Sequence, residues 1–263
     1  MVQAQIKVDE LNLLIDHQGL KNLDGFAVRA TINRITKDFE ALIQSDATEA
    51  YHNLGILHAY QTNYELALSY FRKALALAPN DVVILLNYAK VLEIMGLYQE
   101  MINSCTKALQ LEPLNLLAFG RLNKLSDLYL LPDGVEQSFI LYKGEPIVDK
   151  SKKVENSLST IHFLNSIKVK LETYRTHLNL TLRVYQQFFN LHKLNTSTVQ
   201  NIEGSYLSTV ILVPNASAKE ISLLNQALDE KVMSWLYSQP DGGFDLADEL
   251  EGSVIYFSTE IQN

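Results

Sequence analysis

Residues 48–81 read TEAYHNLGILHAYQTNYELALSYFRKALALAPND, and residues 82–115 read VVILLNYAKVLEIMGLYQEMINSCTKALQLEPLN. A shift of 34 positions puts Asn53 on Asn87, Tyr64 on Tyr98, Lys73-Ala74-Leu75 on Lys107-Ala108-Leu109, Leu77 on Leu111 and Pro79 on Pro113. A fixed period of this length marks stacked units, each of which buries its apolar face only against its neighbours. In the first copy, Tyr51, Leu54 and Leu57 recur at helical spacing, and Tyr64, Ala67, Leu68, Phe71 and Leu75 do so again. Each run is the apolar stripe of an amphipathic helix. Thr62-Asn63 and Gly96 fall where the two helices of a copy must be joined. Pro79 and Pro113 end the second helix, because proline has no amide to donate. Gly55 and Ala67 are small where paired helices would approach closely.

The series Tyr51, Leu54-Gly55, His58, Ala67, Phe71, Ala74 and Pro79 resembles the tetratricopeptide repeat. The family pattern is an aromatic, then Leu-Gly, a second aromatic, Ala, Phe, Ala and Pro. The second copy departs further, with Leu85, Tyr88-Ala89, Leu92, Met101, Cys105, Ala108 and Pro113. The resemblance implies helix pairs whose first helices line a concave groove that binds a peptide or a partner helix. By the same resemblance the groove row holds Glu49, His52, Asn53, Ile56 and Tyr60, then Val83, Asn87, Lys90 and Ile94, then Leu117, Arg121 and Lys124. Some members clamp a terminal carboxylate with Lys, Asn and Arg on successive first helices. Asn87 and Arg121 match two of those positions, whereas His52, Ile56 and Leu117 depart from the others and leave an anion fewer charge-assisted bonds. Ile56, Tyr60, Val83 and Ile94 suit an apolar peptide or partner helix better. Asn53 and Asn87 also fit a structural role, bonding across helices.

Outward from the repeats, residues 116–131 look like the first helix of a third copy, and Pro132-Asp133-Gly134 reads as a turn after which the pattern is lost. Upstream, Leu11–His17 and Phe26–Ile43 read as two helices without the repeat motif, suited to cap the stack. The expected organisation is a helical cap over 1–47, repeats over 48–131 and a small α+β unit over 134–263. The fold class is thus an all-α repeat stack followed by an α+β domain.

In the second half, apolar residues from Leu164 to Phe189 recur every three or four positions and support helix over roughly 152–194. The same stretch alternates at Ile167, Val169 and Leu171, which also fits a hairpin, although no Asn-Gly or Gly turn is present to close one. Ser208–Val213 reads as a buried strand ended by Pro214, Ser217–Tyr237 as an amphipathic helix, and Ser253–Ser258 as a final strand.

The chain has 263 residues, 47% of them apolar and 20% charged, with one cysteine and a net charge of −8. That composition excludes a disordered chain and a disulfide framework. The negative balance argues against phosphate-driven nucleic-acid binding. No apolar run reaches the ~20 residues of a membrane helix. The N-terminus MVQAQIKVDELNLL lacks a basic n-region, so a cytoplasmic protein is expected. A homodimer is compatible with the sequence.

Phosphate-loop, metalloprotease and nucleophile-elbow motifs are missing, so no cofactor, metal or catalytic residue is expected. His162, His177 and His192 recur at equal intervals. On one helix they would lie about 22 Å from each other in turn, too far to share a metal. Cys105 reads as a buried small hydrophobe. Asp241, Asp245, Asp248, Glu249, Glu251 and Glu260 read as a solvated acidic loop, and Asp149–Lys153 as a helix start. The leading reading is a protein-interaction adaptor. The alternatives are an enzyme with its active site in residues 134–263, and a neutralising protein that covers a basic target.

Overall fold

The computed structural model describes residues 26–146, 149–188, 197–203, 206–213, 216–240 and 243–259. The chain forms two compact units that divide between Phe119 and Gly120. The division falls ahead of the expected boundary near 131–134.

The first unit is helical. Helix α1 (Phe26–Leu42) precedes two pairs, α2 (Ala47–Tyr60) with α3 (Tyr64–Leu77) and α4 (Val82–Met95) with α5 (Tyr98–Leu111). Helix α6 (Leu116–Leu128) begins in this unit and ends in the second. The expected helix Leu11–His17 lies outside the described residues. Each first helix starts on an Asp or Asn whose side chain takes an otherwise unpaired amide. Asp46 accepts from Glu49 N–H at 3.1 Å, Asp81 from Ile84 N–H at 3.0 Å and Asn115 from Ala118 N–H at 2.9 Å.

The first helices also end alike. Thr62 N–H donates to Ala59 C=O and Asn63 N–H to His58 C=O, while Gly96 N–H donates to Glu93 C=O and Leu97 N–H to Leu92 C=O. This is the double-bonded helix stop that needs one left-handed residue. Thr62 takes φ 62° and Gly96 φ 70°. Leu130 repeats the arrangement one period on, with φ 55° and bonds from Leu130 N–H to Asp127 C=O and from Leu131 N–H to Ser126 C=O.

The next helix, α7 (Pro132–Leu141), therefore starts one period after Tyr98, as Tyr98 does after Tyr64. The expected turn at Pro132-Asp133-Gly134 is corrected by this helix. Proline suits the first helical position, where no amide donor is needed. Gly134 is there for packing, since a Cβ would stand 2.4 Å from Ser126 Oγ. Asn123 Nδ2 donates to Ser138 Oγ at 2.8 Å between α6 and α7. A third helix pair thus persists where the sequence motif has faded.

Inside the repeats, Leu54, Leu57, Phe71, Ile84, Leu92 and Cys105 are fully buried. Each large aliphatic side chain contributes roughly 1.5–3 kcal/mol by leaving water. Gly55 lets the Phe71 ring lie where a Cβ would meet it at 3.1 Å. Arg72 Nε donates to Tyr88 Oη at 3.1 Å and Tyr88 Oη–H to Glu100 Oε2 at 3.1 Å, joining α3, α4 and α5.

In the second unit the stretch expected as one helix is two, α8 (Lys150–Ser166) and α9 (Leu171–Phe188). The hairpin alternative fails over the described part of that stretch, and residues 189–194 lie outside the described residues. The break is another left-handed stop, with Lys168 at φ 61° and Val169 N–H donating to Leu164 C=O at 2.9 Å. Strands β1 (Ser197–Glu203) and β2 (Tyr206–Leu212) pair antiparallel, and β3 (Ser253–Ser258) lies parallel on the other side of β2. Between β2 and β3 run α10 (Ala218–Tyr237), opened by a reciprocal Ser217–Glu220 cap, and α11 (Phe244–Glu251). Strand β1 is not among the expected elements, because STVQNIE carries little apolar alternation.

Helices α9, α10 and α11 all pack on β3. The parallel register turns Gly252 and Ser258 toward β2, so Ser253 and Phe257 present their backbone groups to the outer edge. Asn225 of α10 meets that edge as a strand would. Its Nδ2 donates to Phe257 C=O at 3.0 Å, and its Oδ1 accepts from Phe257 N–H at 2.8 Å. His177 Nδ1–H donates to Ser253 C=O at 3.2 Å.

The acidic segment is not simply solvated. Asp245–Glu251 lie in α11, and Glu249 accepts from Lys170 N–H at 3.1 Å, Lys170 Nζ at 2.6 Å and Thr173 Oγ1 at 2.6 Å. Burial raises the Glu249 pKa, but these hydrogen bonds outweigh it and hold the carboxyl below the usual range. Asp241 and Glu260 lie outside the described residues.

Candidate functional site

The first helices of the repeats present their outward rows from α2, α4 and the start of α6. His52 and Asn87 lie on α2 and α4 and meet directly, with Asn87 Nδ2 2.9 Å from His52 Nε2. Because the asparagine amide nitrogen can only donate, His52 Nε2 accepts and the ring hydrogen sits on Nδ1. Burial lowers the His52 pKa, opposed by the nearby Glu49 and Asp81 carboxylates. The imidazole is therefore held in its neutral form, braced at 6.0 Å by the Phe71 ring.

Val83 is 61% exposed and Leu117 is 55% exposed, and the two stand one repeat period apart at the same place on successive first helices. Lys90 pairs with Glu93 at 2.9 Å on the same helix, both side chains mostly covered.

Other residues of the expected row turn inward. Asn53 is 2% exposed, and its amide donates to Glu49 C=O at 2.9 Å and Glu49 Oε1 at 2.7 Å. Tyr60 and Ile94 are buried. Ile56 is half-buried against the cluster of Ile32, Ile35, Phe39, Leu54 and Leu57, in which α1 covers α2. Arg121 and Lys124 lie on the part of α6 that belongs to the second unit, Arg121 half-buried and Lys124 exposed.

A second polar cluster is not readable as such in the sequence. Lys73 Nζ stands 4.9 Å from the Tyr70 ring centre and 5.5 Å from that of Tyr51, and His58 stacks on Tyr70 at 5.3 Å. Each contact is worth up to about 1 kcal/mol at a partly exposed site. The spacing of Tyr70 and Lys73, three apart on a helix, is the one available signal.

In the second unit an open depression of about 610 Å³ between α7 and α8 is lined by Glu136, Lys150, Val154, Glu155, Leu158 and His162, with Ser151 and Ser159. Among the described residues no hydrogen bond joins His162 to either serine. His162 and His177 lie on different helices, and His192 lies outside the described residues. No group of three or more His, Cys, Asp or Glu among the described residues could hold a metal ion. Likewise, among these residues no helix is long and apolar enough to cross a membrane.

Successive helix pairs on one fixed period, the first helix of each stopped at the same left-handed position, define a helical-repeat protein. Family models of the tetratricopeptide repeat match residues 48–81 and 82–113, and this stretch of the chain is tetratricopeptide repeat. An uncharacterized protein, ycf37 of Cyanophora paradoxa, is 34% identical over 89 residues, which are 34% of this chain. The chain spans about half of that relative, 52% of its length.

Proposed function

We propose that the chain is an adaptor that binds a peptide or partner helix along the first-helix face of its repeats. The observation that carries this reading is the matched exposure of Val83 and Leu117 at the same place on successive first helices, with the His52–Asn87 bridge joining α2 to α4. A stack buries apolar side chains wherever a neighbour can cover them, so aliphatic residues left open at repeated positions are suited to a partner's anchors. The proposed contact set is the exposed Val83 and Leu117 with the half-buried His52, Ile56, Asn87 and Lys90. Asn53, Tyr60 and Ile94 serve packing instead, because a buried side chain offers a partner no surface.

The test is a pull-down with the intact chain, Val83→Asp with Leu117→Asp, and Met233→Asp as a surface control on α10. Circular dichroism first establishes that all three fold. A protein retained by the intact chain and the control but lost by the groove variant supports the adaptor reading. Equal retention by all three contradicts it.

A further inference from the structure

We infer that this face selects a basic, amphipathic protein segment over a free carboxylate, a refinement that rests on the adaptor reading above. A carboxylate is recognised by N–H donors and cations. On α2 and α4 those groups are only partly available. One N–H of Asn87 goes to His52 Nε2, which as a neutral acceptor offers no proton of its own there. The Lys90 ammonium is neutralised by Glu93 at 2.9 Å.

The charge left uncompensated on this face is of the opposite sense. Beyond the His52 bond, Asn87 keeps one amide N–H and its Oδ1 carbonyl, so it carries no charge that favours an anion. Glu49 lies one turn before His52 on α2, and Asp81 caps α4 two residues ahead of Val83, so both first helices bring a carboxylate to this face. Val83 stands exposed on the same helix as Asn87. Aliphatic anchors of a partner fit Val83 and Leu117, while lysine or arginine beside them meets Glu49 and Asp81. A donor N–H of the segment reaches Asn87 Oδ1. The net charge of −8 adds long-range attraction for a cationic segment.

The experiment selects binders from a random peptide library displayed with free C-termini, on the full-length chain and separately on Val83→Asp. Peptides enriched on the intact chain are then titrated by fluorescence polarisation, as free acids and as amides. Expected are net-positive sequences with apolar residues at helical spacing, whose affinity is unchanged by amidation. Their affinity should fall about tenfold on Glu49→Gln with Asp81→Asn, a pair of changes that keeps the shape and caps of both helices. Enrichment of acidic peptides, or affinity that is lost on amidation, overturns the selectivity and leaves the adaptor reading standing. Equal enrichment on Val83→Asp, or none on either protein, overturns both.

Discussion

Thr62 and Gly96 occupy the same left-handed turn in successive repeats, at φ 62° and 70°, and close the first helix of each. Glycine adopts that conformation without penalty, whereas a β-branched residue is strained by roughly 1–2 kcal/mol. Thr62 is exposed, so little packing is lost on replacing it. Thr62→Gly should therefore stabilise the chain by about 1 kcal/mol and raise the melting temperature by about 3 °C. Gly96→Thr should move both by a similar amount in the other direction. Calorimetry on the two variants checks the pair, and a destabilised Thr62→Gly would refute the strain argument.

His177 is buried, and its pKa is pushed down to about 4 by desolvation, which the hydrogen bond to Ser253 C=O only partly opposes. The folded pKa is below the ordinary 6.5, so the unfolded chain takes up the proton first as pH falls. The associated stability is fully present above about pH 6.5 and is lost progressively down to about pH 4, to a total of about 3 kcal/mol. His52 and His58 are shifted in the same direction by burial and add to the slope. Urea midpoints measured across this range should fall less steeply in His177→Gln, which keeps a donor for Ser253. Identical slopes would show that His177 does not titrate differently on folding.

Glu249 holds the start of α9 through Lys170 and Thr173. A carboxylate near the first amides of a helix gains from both hydrogen bonds and the helix dipole. Glu249→Ala should cost about 2 kcal/mol in denaturant unfolding. A loss under about 0.5 kcal/mol, the range of ordinary surface changes, would mean the contacts are replaced by water.

Asn225 closes the outer edge of β3 at Phe257. Asn225→Leu keeps the side-chain size and removes both bonds, leaving a backbone N–H and C=O open on an uncharged strand edge. The expected outcome is about 2 kcal/mol of destabilisation together with concentration-dependent self-association in sedimentation velocity. A destabilised variant that stays monomeric would show that α10 covers the edge by bulk alone.

The repeats are legible in the sequence because Leu54, Gly55, Phe71 and Pro79 are constrained by close helix packing and leave a readable motif. The third pair is not, since its stop uses Leu130 where the motif would place a glycine, and Pro132-Asp133-Gly134 carries turn chemistry inside a helix start. Lys168 hides the break between α8 and α9 for the same reason, because a left-handed stop without glycine has no local signature. Strands β2 and β3 are readable from β-branched and aromatic runs, while polar β1 depends on pairing with β2. For the candidate site, spacing places Asn53, Tyr60 and Ile94 on the first helices but not on the reachable side. Their burial follows from neighbouring helices that no single-copy pattern contains. The His52–Asn87 bridge joins residues in two different copies, and only the stacked geometry reveals it.

The most direct test of the first-helix face is amide hydrogen exchange on the full chain, with and without a saturating library-selected peptide. The account predicts slowed exchange across α2 and α4, centred on His52, Val83 and Asn87, and loss of that protection in Val83→Asp. Protection confined to α8 through β3, with α2 and α4 unchanged, would contradict it.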